Sequence, residues 1–266
     1  MNTEKEFKIT PKMKAKIAAM FSSAVIGGAL LISSGSIAHA AGVKVNATSP
    51  VLSASAALNV GANQNLHVQN IITRGNQEIT RRLTTLNTLS GKIDSATRLT
   101  PSDQATLNME VSGTISGLNS LKTQLDSQIS LLPARNDALS IYTEYRVYAL
   151  VAPKVGLIKV ADDQQVVEAK LAALVPKLQS RITLASQNGS NVVTMQAQLN
   201  DMSAKIAAAQ AISSNIETTV INLQPIDYNS NHAVLVGDNM QLKTAYNDIQ
   251  AAYNDAKAIV SELKAL

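Results

Sequence analysis

The sequence predicts an all-α fold in which long antiparallel helices form a helical bundle with coiled-coil-like packing. Hydrophobic residues make up 45% of the chain but aromatic residues only 3%, a composition that suits helix packing by Leu, Ile, Val and Ala. Glycine and proline are scarce, at 12 and 7 of 266 residues, which argues against many short strands joined by tight turns. Apolar residues also recur every seven positions over long stretches.

The first forty residues (1–40) have the three parts of a secretory signal. The first sixteen residues are rich in lysine, residues 17–32 are apolar and uncharged, and small residues flank a cleavage site at Ala38, Ala40 and Ala41. An uncleaved membrane anchor is the alternative. It is less favoured because the apolar run is shorter than the roughly twenty residues that span a bilayer comfortably. We therefore predict an exported chain, cleaved near Ala40.

Removing this signal changes the charge of the chain. The whole sequence has 23 basic and 19 acidic residues, and the first forty residues hold five lysines and two glutamates. The exported part therefore keeps 18 basic and 17 acidic residues, which argues against nucleic-acid binding. It has no cysteine, so disulfides, thiol catalysis and thiolate metal sites are excluded. Residues 41–65, rich in small and polar side chains, predict a flexible leader before a helical bundle over 66–266.

The first predicted helical hairpin covers residues 68–130. Thr100 has the properties of an N-cap for its second helix, with Pro101 at the first helical position and Asp103 near the positive end of the helix dipole. The connection is short, so the two helices should be antiparallel neighbours. Their apolar stripes consist of Ile72, Ile79, Leu83, Leu86, Leu89 and Ile93 in the first helix, and Leu107, Val111, Ile115, Leu118, Leu121, Leu125, Ile129 and Leu132 in the second.

A central segment over 134–160 follows Pro133, which is expected to end the second helix, and Pro153 is expected to kink or interrupt the segment. Three of the six tyrosines and the longest apolar run of the exported chain lie within 141–160. The favoured interpretation is a helix buried among the others, and the alternative is a docking surface for a partner or a membrane. The candidate interaction surface comprises Tyr142, Tyr145, Tyr148, Leu150, Val151, Leu157 and Ile158.

A second hairpin is predicted over 162–223, with Pro176 interrupting its first helix. Gly189 is expected at the end of that helix and Ser190 as the N-cap of the next, which should end at Gln224–Pro225. This next helix has the most regular heptads of the chain, interrupted only at Ser213. Its rows are Val192, Leu199, Ile206 and Val220, and Met195, Met202, Ala209, Ile216 and Leu223.

The last predicted helix covers residues 234–266, after a polar loop at 226–232. Its apolar rows contain many alanines, which allow a neighbouring helix to approach closely. The rows are Leu242, Ile249, Ala256 and Leu263, and Ala245, Ala252, Ile259 and Leu266.

Residues capable of catalysis or metal binding are few. His67 and His232 lack a second ligand at helical spacing, and no catalytic or nucleotide-binding motif is present. The adjacent acidic pair Asp162–Asp163 is interpreted as a cap for the helix that follows it. These observations predict a protein that is not an enzyme and that has no cofactor or metal site.

One calcium-like pattern lies between residues 227 and 238. Asp227, Asn229, Asn231 and Asp238 match several oxygen positions of an EF-hand loop. His232 occupies the position where the sharp turn of that loop needs glycine, so a polar interhelix loop is the favoured interpretation.

Three stretches, EITRRLTTLNTLSGKI, LTPSDQATL and TEYRVYALVAPKVGLIKVAD, resemble uncharacterised exported helical-bundle proteins predicted from candidate-phylum bacterial genomes. The likeness covers roughly residues 70–186. It implies an exported bacterial helical protein, and it implies no activity and no functional residues.

The sequence therefore predicts an exported, non-enzymatic structural or interaction protein of the cell envelope or extracellular space. Its partner would be a protein or an envelope component held on long helical surfaces. The main alternative is a membrane-active protein similar in plan to α-helical pore-forming toxins, using residues 147–160. A hydrolase assembled from distant residues and a carrier of a small ligand between helices are further options that no residue pattern favours.

Overall fold

The structure, a computed structural model, describes residues 54–225 and 228–266, and in this part of the chain it contains helices and no strand. The prediction of packed helices is confirmed. The predicted signal, with Ala38, Ala40 and Ala41, lies outside the described residues. The elements are α1 (Ala54–Asp94), α2 (Pro101–Asp126), α3 (Leu131–Thr143), a π-helix (Val147–Val151), α4 (Ala152–Ala172), α5 (Val175–Gln187), α6 (Val193–Val220) and α7 (Tyr228–Ala265).

Cross-helix hydrogen bonds show how the helices run. Helices α1 and α2 are antiparallel, because Asn76 bonds to Asp126 at one end (2.5 Å) and Asn108 bonds to Asp94 at the other (2.8 Å). Helix α3 turns back along both of them, and the π-helix, α4 and α5 follow in sequence. Helices α6 and α7 are also antiparallel and form the most extensive helix contact of the structure.

The buried apolar side chains form two groups. The first core contains Val68, Ile72, Ile79, Leu86, Leu89, Ile93, Leu99, Leu107, Val111, Leu118, Leu121, Leu125, Ala134, Ile141, Val147, Leu150, Val151, Val155, Leu157, Ile158, Ala161, Ile216, Val220, Leu235 and Leu242. The second core lies among α4, α5, α6 and α7 and contains Leu171, Leu178, Ile182, Met195, Leu199, Met202, Ile206, Ala209, Ala245, Ile249, Ala252, Ala256 and Ile259. Buried polar side chains separate the two groups on α4 and α6.

The start of α2 is capped as predicted. The backbone N–H of Asp103 donates to Thr100 Oγ1 (3.1 Å), and that hydroxyl donates to Asp103 Oδ2 (2.7 Å). Pro101 occupies the first helical position, where its missing N–H would have no helical partner in any case.

The end of α2 differs from the prediction. The helix ends at Asp126 and not near Ser130, so the heptad pattern does not continue into the connection. Ile129 and Leu132, predicted in the buried stripe, are instead 86% and 68% exposed. Pro133 lies in the first turn of α3, a position that tolerates proline because the first-turn N–H groups have no helical acceptor.

The central segment is interrupted before Pro153 and not at it. Arg146 has φ of 40°, in the left-handed region, and the π-helix follows immediately. Its wider turn is closed by the N–H of Ala152 donating to the carbonyl of Val147, five residues back. Pro153 then lies in the first turn of α4, directly after the π-helix.

Two later boundaries also shift. Gly189, at φ of 87°, ends α5 as predicted, with Ser190 N–H donating to the carbonyl of Ala185 (3.0 Å). Ser190 does not cap the next helix, however: α6 starts at Val193, whose N–H donates to Asn191 Oδ1 (3.2 Å). The first helix of the predicted hairpin is split into α4 and α5 just before Pro176, because proline favours a helix start.

Regular helix covers the described parts of two segments that were predicted to be irregular. The backbone of residues 54–65, predicted in the flexible leader, forms the first turns of α1. Helix α6 ends at Val220, before Gln224–Pro225, and α7 starts at Tyr228 and not near 234. Three members of the calcium-like pattern, Asn229, Asn231 and Asp238, therefore fall on α7, and Asp227 lies outside the described residues. A helical backbone is not the loop in which an EF-hand arranges its ligands around one ion.

Candidate functional site

The candidate interaction surface divides into buried and exposed residues. Leu150, Val151, Leu157 and Ile158 belong to the first core and are at most 7% exposed. In the folded chain these four side chains form no surface, as expected for a central buried helix. A Leu150→Asp variant would therefore report on the core and not on docking.

Tyr142 and Tyr148 are exposed, and we call their surroundings the tyrosine face. The Arg82 guanidinium is buried and lies 4.6 Å from the Tyr142 ring centroid and 5.1 Å from that of Tyr148. Arg81 lies 5.3 Å from the Tyr148 ring, whose hydroxyl donates to the Arg81 carbonyl (3.3 Å). Glu78 pairs with both arginines. These contacts hold two aromatic rings in fixed positions at the surface.

Tyr145, the third predicted tyrosine, packs against the first core instead. Its ring fills the space beside Gly117, where an added Cβ would lie 2.5 Å from the ring. Burial raises the pKa of its hydroxyl, and the neighbouring Glu144 raises it further.

Three carboxylates from distant parts of the chain meet where α2, α4 and α6 come together, and we call them the acidic triad. Asp103 lies in the first turn of α2, Asp162 in the middle of α4 and Glu217 near the end of α6. One carboxylate oxygen of each lies within 4.8 Å of the others. Asp103 and Asp162 are buried, and Glu217 is partly exposed.

The three carboxylates of the acidic triad accept hydrogen bonds from neutral groups. The Thr100 N–H donates to Asp162 Oδ2 (2.9 Å), the Thr100 hydroxyl donates to Asp103, and the Gln165 amide donates to Glu217. Burial raises the pKa of Asp162 to about 6, and the charges of Asp103, Glu217 and Asp163 add to this effect against the Thr100 hydrogen bond. The prediction that Asp162 caps the helix that follows it is therefore wrong. Asp162 instead accepts the Thr100 N–H at the start of α2.

An ion pair also connects α2, α4 and α6, at a position farther from the start of α2 than the acidic triad. Lys154 is fully buried, and its Nζ lies 2.7 Å from Glu110 Oε2 and donates to the Ile221 carbonyl at 3.0 Å. Ile221 follows the last residue of α6, so the ammonium also neutralises the negative end of that helix. Lys154 thereby joins α2, α4 and the C-terminus of α6.

The buried polar residues between the two cores are Gln164, Glu168 and Ser213, which we call the polar layer. The Ser213 hydroxyl lies 2.9 Å from Glu168 Oε1, and the Gln164 amide donates to the Leu242 carbonyl (2.9 Å). Glu168 Oε2 is buried without a hydrogen-bond partner, and burial raises the pKa of this carboxyl. Ser213, the one interruption of the α6 heptads, is thus the hydrogen-bond partner of a buried acid.

Sequence reasoning did not identify these polar sites, because the members of each site come from two or three different helices. Asp103 and Asp162 each had a local interpretation as a helix cap, and nothing in the sequence connected them with Glu217. Ser213 gave the only usable signal: a polar residue at a core position of a regular heptad needs a buried partner.

Within the described residues, no helix is both long enough and apolar enough to cross a membrane. No protein-family model, curated protein or solved structure matches the chain.

Proposed function

We propose that this chain is an exported, non-enzymatic interaction protein of the cell envelope or extracellular space, which binds a partner protein or envelope component on the tyrosine face. The observation that carries the proposal is the fixed pair of exposed rings, Tyr142 and Tyr148, 49% and 39% exposed. Tyrosine and arginine contribute much of the binding energy of many interfaces, because they combine apolar area with polar groups.

Neighbouring side chains extend this face. Leu139, 59% exposed, lies one helical turn before Tyr142 on α3. The Arg81 side chain is 65% exposed beside Tyr148 and offers a guanidinium to an acidic partner. An apolar centre with charged residues at its edge is the usual composition of a protein interface.

A pull-down of envelope fractions by the purified, tagged chain tests this proposal. The test variant is Leu139→Asp, which changes an exposed residue of the face, and Met240→Asp on α7 is the matched control at 64% exposure. We expect the bound partner to be lost with Leu139→Asp and retained with Met240→Asp, with equal helical circular dichroism in both. Equal capture by the two variants would contradict the proposal.

The membrane-active alternative needs residues 147–160 to leave the first core. That movement would separate the buried Lys154 from Glu110 and expose Leu150 and Ile158, so it receives less support from the packing. Release of dye from liposomes by the purified chain would favour this alternative over a docking function.

A further inference from the structure

The acidic triad concentrates negative charge in a place where water has little access. Asp103 and Asp162 are 6% and 2% exposed, and they meet Glu217 within 4.8 Å. Like charges at this separation repel each other strongly when they are buried. Such a group needs either protons or a cation to be stable.

The cations closest in sequence are used elsewhere. Arg98 and Lys159 both pair with Asp163, the neighbour of Asp162, at 3.4 Å and 2.9 Å. Among the described residues, the triad carboxylates form no salt bridge with a lysine, an arginine or a histidine. Their hydrogen bonds to Thr100 and Gln165 supply donors but no positive charge.

Asp162 also has an oxygen with no partner. Thr100 donates to Oδ2, whereas Oδ1 is buried and accepts no hydrogen bond. Leaving a buried carboxylate oxygen unsatisfied is unfavourable, and such an oxygen commonly marks the position of an ion or a bound water. This oxygen belongs to the carboxylate that meets both Asp103 and Glu217.

We propose that the acidic triad binds a divalent cation that prefers oxygen ligands, and specifically Ca²⁺. Two oxygens that bind one Ca²⁺ at about 2.3–2.6 Å can lie up to roughly 5 Å apart, which agrees with the separation in the triad. Ca²⁺ tolerates irregular coordination by carboxylates from separate elements, whereas Mg²⁺ demands a regular octahedron and Zn²⁺ prefers histidine or cysteine. Thr100 Oγ1, bonded to Asp103, is a further oxygen close to the site.

Such an ion would join α2, α4 and α6, the same three helices that Lys154 joins. The inference does not depend on the tyrosine face, and a cation site here would remain if the docking proposal failed.

The test is a thermal-unfolding titration of the purified full chain, treated with a chelator and then given CaCl₂ or MgCl₂. Asp162→Asn and Glu217→Gln remove triad charges while keeping side-chain size. Asp163→Asn is the matched control, because Asp163 is the adjacent residue but pairs with Arg98 and Lys159. We expect Ca²⁺ at one hundred times its Kd to raise the Tm of the unsubstituted chain and of Asp163→Asn by about 5–10 °C.

The two triad variants should show less than a quarter of that shift, and calorimetry should show heat of Ca²⁺ binding only for the unsubstituted chain and the control. No shift with either ion, together with a higher Tm for Asp162→Asn, would show that the triad holds a proton and would overturn the proposal. A shift that persists in both triad variants would place the ion elsewhere and would also overturn it. A response to Mg²⁺ alone would overturn the assignment to Ca²⁺. Glu217 is partly exposed, so Glu217→Gln should keep the helical circular dichroism of the unsubstituted chain. An unchanged spectrum shows that loss of the Ca²⁺ response in this variant does not come from loss of folding.

Discussion

The two cores are both built from apolar, non-aromatic side chains but differ in the polar groups buried beside them. The first core is bordered by buried charged residues, among them Arg82, Lys154 and Asp162. The second core, in the part of the chain that the structure describes, has Met, Leu, Ile and Ala packed among α4, α5, α6 and α7, and the polar layer separates it from the first core on α4 and α6. The difference reflects connectivity, because α6 and α7 are neighbours in sequence whereas α2, α4 and α6 are not.

A short connection and matching heptads are enough to pair α6 with α7. No short connection joins α2 to α4. Between these helices the Lys154–Glu110 ion pair and the acidic triad provide contacts at defined positions along each helix. Buried polar groups of this kind contribute more to the choice of partner and register than to stability, since isosteric apolar residues often stabilise as well or better. We therefore interpret the charges of the first core as determinants of how the helices align, and this interpretation can be tested by removing them one at a time.

The largest effect is expected at Lys154. Lys154→Met leaves the half-buried Glu110 without its cation and the Ile221 carbonyl without its donor, which should lower the free energy of unfolding by about 3 kcal/mol. Adding Glu110→Leu to this variant should recover most of the loss, because the uncompensated charge is then gone. Urea unfolding of the single and double variants measures both. A double variant as unstable as the single one would mean that the ion pair itself is the stabilising element.

A substitution in the second core should lower the free energy of unfolding by a comparable amount, and this loss should not depend on pH. Leu199 is 2% exposed, and Leu199→Ala should cost about 2–4 kcal/mol through lost burial and the cavity that remains. No titratable group of the second core is involved, so the loss measured by urea unfolding should be equal at pH 5 and pH 7.5. A loss that changes with pH would show that the two cores do not respond separately.

The contrast between these regions also explains what the sequence could predict. Met195, Leu199, Met202 and Ile206 were assigned to the buried rows of α6 from spacing alone, and all four are buried. Helix periodicity identifies which face of a helix is apolar, and a short connection identifies its neighbour. The heptad argument failed at Ile129 and Leu132 because periodicity does not show where a helix ends.

The polar sites could not be predicted in the same way. Lys154 stood next to Pro153 in an apolar run and gave no sign of being buried, because its side-chain partner, Glu110, lies on another helix. The pair Asp162–Asp163 was assigned to a helix start because α4 was expected to resume there, whereas α4 begins at Ala152 and places both residues in its interior. Assigning such residues needs the pairing of helices, which a single sequence does not contain.

Three buried acids, one of them in the polar layer, should give a smaller effect that depends on pH. Burial raises the pKa of Glu168, Asp162 and Asp238 in the folded chain, so the stability that these groups contribute is fully present below their unfolded pKa values, near 4, and is lost as the pH rises through the folded values. For Asp162 the loss spans about pH 4 to 6. The chain should therefore be more stable at pH 5 than at pH 7.5, by about 1–3 kcal/mol in the presence of a chelator.

Glu168→Gln tests the share of the polar layer in this dependence. The amide carries no charge and can still accept from Ser213, so the variant should exceed the unsubstituted chain in stability at pH 7.5 by about 1 kcal/mol and equal it near pH 4. Urea midpoints measured across this range give the comparison. A variant that is destabilised at every pH would mean that the ionised carboxylate has a favourable partner in the fold.

The smallest effect on stability is expected at Thr100. Substitution of this residue distinguishes a role in helix capping from a role in positioning the acidic triad. Thr100→Ala removes the hydroxyl that accepts from Asp103 N–H and donates to its carboxylate, and loss of an N-cap costs about 1 kcal/mol. Asn191→Ala removes the side-chain oxygen that accepts from Val193 at the start of α6, far from any buried acid, and serves as the capping control. If the hydroxyl only caps α2, thermal unfolding should show similar losses for the two variants. If it also fixes Asp103 within the acidic triad, Thr100→Ala should in addition weaken Ca²⁺ binding several-fold, while Thr100→Ser retains both the cap and the affinity. Equal affinities in all three variants would limit the role of Thr100 to the helix start.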